Sequence, residues 1–148
     1  MFSFLHKHTE THIDESAVVG AIRYAESHSR AEIRVHLAEK TDKDGALETA
    51  KRVFSKLGMQ RTELRNGVLI YVCFREKKFA ILGDIGIHQF VSDDFWETVK
   101  SEMQELLKQN KHTEAICHGV RRAGEKLRLH FPAGNNNPNE LSNEISRD

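Results

Sequence analysis

The sequence predicts an α/β fold, a three-layer α/β/α sandwich built on a small mixed, Rossmann-like sheet. Three observations carry this expectation. Residues 31–38 alternate polar and apolar, residues 68–74 are apolar throughout, and segments with helical apolar spacing precede, separate and follow them. A period of two marks a strand with one buried face, and a continuous β-rich run marks a strand covered on both faces.

In chain order, Asp14 and Glu15 stand where a helix N-terminus favours negative charge, and Val18, Ile22 and Ala25 follow on one helical face. That helix is expected to end near His28-Ser29-Arg30, ahead of the strand Ala31–Ala38. Thr41 is the expected cap of a second helix, with Asp42 and Asp44 in its first turn and Gly58 as its stop. Asn66-Gly67 opens the second strand, and Arg75–Lys78 turns it into a third, Phe79–Leu82. The short connection makes these two an antiparallel hairpin, whereas the helix between the first two strands makes them parallel. Gly83–Ile87 is expected to be a turn. Ser92-Asp93-Asp94 begins a third helix, and Thr113 caps a fourth that carries Ile116, Val120 and Leu127. The order α-β-α-β-β-α-α places helices on both faces of the sheet.

With 148 residues the chain has room for one domain and a full core. Lys plus Arg (22) balance Asp plus Glu (22), which argues against the basic stripe of a nucleic-acid binder. Cys73 and Cys117 sit in apolar-periodic segments and are expected to be buried free thiols in a reducing, cytoplasmic compartment. The N-terminal apolar run is too short for a signal peptide, and no stretch is long enough for a membrane span. No membrane partner is expected.

Four stretches, taken in order, resemble the TPM domain: Ala31–Val35, Phe54–Met59, Arg65–Val72 and Phe79–Ile87. The resemblance runs over residues 12–132, leaving an N-terminal segment 1–11 and a tail 133–148 expected to be flexible. It implies an α/β/α sandwich, and it implies divalent-cation binding, attributed to several members, and a weak acid phosphatase activity, attributed to a plant member. Many relatives carry a signal peptide and a membrane helix; this chain is similar to the short free-standing bacterial members. Arg65 departs from the pattern, since many relatives have an acidic residue before Asn-Gly.

The predicted topology gathers candidate site residues at one sheet edge. Glu32 starts the first strand, Asn66 precedes the second, Asp84 ends the third, and Asp93 and Asp94 follow it. Carboxylates with an amide oxygen are the hard donors that Ca²⁺ or Mg²⁺ takes, and a cation would relieve their mutual repulsion. The same residues serve equally as helix caps and turn residues. The expected function is therefore a divalent-metal-binding domain with an interaction or regulatory role and a possible protein partner. The alternative is a weak metal-dependent phosphatase, with Arg65 holding phosphate or pairing with Asp84. His6, His8, Glu10 and His12 form a loose N-terminal cluster, read as a solvated segment. Arg121, Arg122, Lys126 and Arg128 read as a solvated helix face.

Overall fold

The structure is a computed structural model that describes residues 12–134 and 140–148. Helix α1 is Glu15–Ser27, capped by Asp14, whose Oδ1 accepts the Ala17 N–H at 3.1 Å. Strand β1 is Glu32–Leu37, helix α2 Ala46–Lys56, and strands β2 and β3 are Gly67–Cys73 and Lys78–Gly83. Helices α3 (Ile85–His88), α4 (Asp93–Lys108) and α5 (His112–His130) follow, and β4 is Ser146–Arg147.

The sheet order is β3-β2-β1-β4. As expected, β1 and β2 are parallel and β2 and β3 antiparallel. All seven residues of β2 are buried, because its two pleat faces meet two different apolar layers. Val68, Ile70 and Val72 join Val18 and Ile22 of α1, Met103 of α4 and Ile116 and Val120 of α5. Leu69, Tyr71 and Cys73 instead join Ala50 and Phe54 of α2, with Met59 and Leu141. The three layers follow from that alternation. Cys73 and Cys117 are buried free thiols.

Four local expectations are corrected. Helix α2 starts at Ala46, behind Gly45 at φ +100°, because Thr41 is engaged elsewhere: its Oγ1 lies 2.9 Å from the Tyr71 hydroxyl. Thr113 does not cap α5; its Oγ1 accepts the Asp14 N–H at 3.0 Å and so ties the start of α1 to α5. The turn after β3 contains the four-residue helix α3. Finally, residues 140–148 are packed: Ser146 and Arg147 pair in parallel with His36 and Leu37, and Leu141 is buried in the α2-side layer. Among the described residues no helix is long and apolar enough to cross a membrane.

Candidate functional site

Strands β1, β2 and β3 do bring Glu32, Asn66 and Asp84 to one sheet edge. Glu32 is in register with Gly67, the residue after Asn66, and the Asp84 N–H donates to Gly67 O at 2.9 Å. Apart from one Asn66 oxygen, their side-chain polar groups are engaged within the protein. The Glu32 carboxylate accepts the Leu141 N–H at 2.9 Å and the Glu140 N–H at 3.3 Å. Burial raises its pKa, and those two N–H groups oppose the rise. Asp84 accepts from Arg65 through both oxygens, Nε at 2.7 Å and Nη2 at 2.8 Å, and caps α3 through the Ile85 N–H at 2.7 Å. Asn66 donates from Nδ2 to Arg30 O at 2.7 Å, and its Oδ1 is buried with no donor.

The space above Gly67 is filled by protein. A Cβ there would lie 3.3 Å from Met59 O and 3.7 Å from Leu141 Cδ1. On the pleat this position faces the same side as Glu32, its register partner, so Met59 and Leu141 stand on the strand between Glu32 and Asp84. Asp93 and Asp94 are exposed in the first turn of α4, after α3 has redirected the chain. Among the described residues no group of three or more His, Cys, Asp or Glu side chains is placed to hold a metal ion. As folded, Glu32, Asp84, Asp93 and Asp94 form no such group, and both oxygens of Asp84 are held by Arg65.

What the edge does build is a cleft on the α2 side. It has a volume of about 370 Å³ and is lined by Lys51, Ser55, Gln60, Arg65, Asp84 and His88 among others. Lys51 and Ser55 are one turn apart on α2, and Asp84 and His88 bracket α3. The Arg65 side chain is 40 % exposed while that of Asp84 is 4 % exposed, so the pair has a buried anion and an accessible cation. Its bonds to Asp84 use Nε and Nη2, leaving the other guanidinium N–H donors for a ligand. Gln60 Oε1 is buried in the same wall with no partner.

The backbone fixes this arginine. Arg65 adopts φ +50°, sparsely populated for a residue with a Cβ, and its carbonyl accepts the Gly86 N–H at 2.9 Å. A Cβ on Gly86 would lie 2.1 Å from Leu64 O and 2.6 Å from Arg65 O. Gly86 is therefore required for close approach between α3 and the loop that carries Arg65, rather than for a left-handed φ. Sequence reading singled out Arg65 and Asp84 but missed Lys51, Gln60 and His88. A lysine and a serine at i and i+4 beside Phe54 were the available signal for α2. The orientation of that helix over β3 was not.

The other candidates resolve simply. His6, His8 and Glu10 lie outside the described residues, and His12 is exposed. Arg122 pairs with Glu102 at 2.9 Å and lies over the Phe95 ring, within the basic run read as a helix face.

Against known proteins, residues 9–126 match the TPM domain. The chain belongs to the TPM domain family. The BA42 protein of the psychrophilic bacterium Bizionia argentinensis superposes on this TPM domain with a TM-score of 0.86 at 40 % identity, covering 95 % of this chain and 98 % of that one. Two more distant structures share the fold. The N-terminal domain of cg2496 from Corynebacterium glutamicum has a TM-score of 0.62 at 12 % identity, over 82 % of this chain and 74 % of that one. An N-terminal domain from P. gingivalis has a TM-score of 0.64 at 15 % identity, over 79 % and 76 %. No curated protein matches.

Proposed function

We propose that this TPM domain binds phosphomonoesters in the α2-side cleft, as a regulatory or binding module with weak hydrolysis as the reaction that follows. One observation carries the reading: an arginine locked on a buried aspartate presents its remaining donors to a cleft that also holds Lys51 and His88. A planar guanidinium fixed on one edge is suited to grip two oxygens of a tetrahedral oxyanion on the other. Phosphoryl transfer depends mainly on positioning and on charge that stabilises the transferring group, which Arg65 supplies. Lys51 adds to it only on leaving Glu48, whose Oε2 its ammonium holds at 2.9 Å. His88 is the imidazole that lines the cleft and is the group offered there for proton transfer. Asp84 acts as a positioning residue, holding Arg65 in place.

The test is an NMR titration of labelled protein with inorganic phosphate and with p-nitrophenyl phosphate, alongside a hydrolysis assay. Saturable shifts at the Arg65 Nε–H and at the Lys51, Ile85 and His88 amides are expected. Arg65→Gln should weaken binding by about tenfold or more, the worth of a charge-assisted hydrogen-bond pair. Unsaturable shifts, or hydrolysis equal in wild type and Arg65→Gln, would remove the assignment.

A further inference from the structure

The polar face of β1 has an unusual cover. Glu32, Arg34 and His36 share one pleat face of this strand. Helix α2, which lies on that side of the sheet, packs on β3 and β2. The β1 row is met instead by residues 140–148. The Leu141 and Glu140 N–H groups reach Glu32. At the other end, His36 is 4 % exposed and uses both ring nitrogens, Nδ1 with Ser146 Oγ at 2.9 Å and Nε2 with Asp148 Oδ1 at 2.8 Å. The second Asp148 oxygen accepts the Glu39 N–H. Leu141 enters the α2-side layer and Ile145 packs on the opposite one, so the segment wraps the sheet edge.

This segment has the character of a bound peptide more than of a core strand. It adds only Ser146 and Arg147 to the ladder, and Glu140, Ser142, Glu144, Arg147 and Asp148 are exposed. It also leaves the row imperfectly served, since Arg34 Nε is buried between Glu32 and His36 without an acceptor. The family match ends at residue 126, before the segment begins.

We infer that the outer edge of β1 is a strand-docking site, that residues 140–148 are its exchangeable occupant in cis, and that its occupant in trans is the same segment of a second copy. Recognition combines parallel strand addition at residues 36–37, an apolar anchor in the Leu141 position and a Ser-x-Asp grip on His36. Exchange of such a segment between copies makes a swapped dimer.

The probe is a synthetic peptide of residues 140–148, titrated into labelled full-length Leu141→Ala, whose own segment has lost its anchor while the acceptor is intact. Saturable shifts are expected at the Glu32, His36, Leu37 and Glu39 amides, with affinity about tenfold or more weaker for the peptide carrying the same Leu141→Ala change. Wild type should need a higher peptide concentration, because its tethered segment competes at an effective millimolar level. No saturable shift on β1, or equal affinity for both peptides, overturns the proposal. If Leu141→Ala does not fold, the Ser146→Ala/Asp148→Asn chain, which leaves the apolar layers untouched, takes the same titration with the same reading.

Discussion

Arg65 and Asp84 show how a single pair decides which ligand an acidic edge can take. The sequence places a glutamate and an asparagine at the start of two parallel strands and an aspartate at the end of the antiparallel third, which reads as a cation site until the arginine is located. In the fold Arg65 holds both oxygens of Asp84, and the aspartate side chain is nearly fully buried. A buried carboxylate is tolerated only with a partner, and a guanidinium already supplies the positive charge a cation would bring. Asp84 should therefore be no cation's ligand. We predict that any rise in melting temperature produced by millimolar Ca²⁺ or Mg²⁺ is retained in Asp84→Asn, a change that keeps the cap oxygen but removes the charge. Calorimetric scans with and without cation measure this, and loss of the rise in the variant would return Asp84 to the ligand set.

At the scale of elements, the longest and most regular signals were legible and the shortest were not. The apolar run of β2 required two covered faces, and both layers are present. The strands' directions followed from connection length alone. Helix α3 was missed because four residues cannot display a 3.6-residue period. Strand β4 was missed because its two residues are polar and their partners, His36 and Leu37, lie more than a hundred positions away. Half of the cleft was legible as Arg65 and Asp84; the Lys51 half depends on how α2 lies across the sheet, which no local pattern records. Gly86 joins these elements. Substituting Gly86→Ala places a methyl group against the Leu64 and Arg65 carbonyls, so α3 and the Arg65 loop must part. The expected cost is about 1–3 kcal/mol of stability, together with weakened phosphate binding. Denaturant unfolding and the phosphate titration on one variant check both, and a stability loss with unchanged binding would show that the loop position does not govern the cleft.

For the whole molecule, zero formal charge leaves the pH dependence of stability to a few displaced carboxyls rather than to general repulsion. Burial pushes the Glu26 carboxyl up to about 8, despite the Ile33 N–H it accepts at 2.9 Å, and the nearby Glu32 charge adds to the rise. Asp148 and Glu102 are displaced the other way. Burial opposes the change at Asp148, but the Glu39 N–H and His36 outweigh it; at Glu102 the His118 bond leads and Arg122 adds to it. The signs set a maximum. A carboxyl raised in the folded state contributes stability that is complete below its unfolded pKa and is lost as pH climbs through the folded value. For Glu26 that window runs from its ordinary 4.5 to about 8. The depressed carboxyls contribute stability above their unfolded pKa and lose it as pH falls through their folded values. The melting temperature should thus peak in mildly acidic solution and decline toward pH 8. Glu26→Gln keeps an oxygen for the Ile33 N–H and removes the ionisation, so it should flatten the alkaline limb and leave the acid limb in place. Thermal scans from pH 4 to 9 on both proteins decide it. If the decline between mildly acidic pH and pH 8 is the same in the variant, the proton is taken up elsewhere, and Glu32, whose buried carboxyl is raised in the same direction, becomes the group to change next.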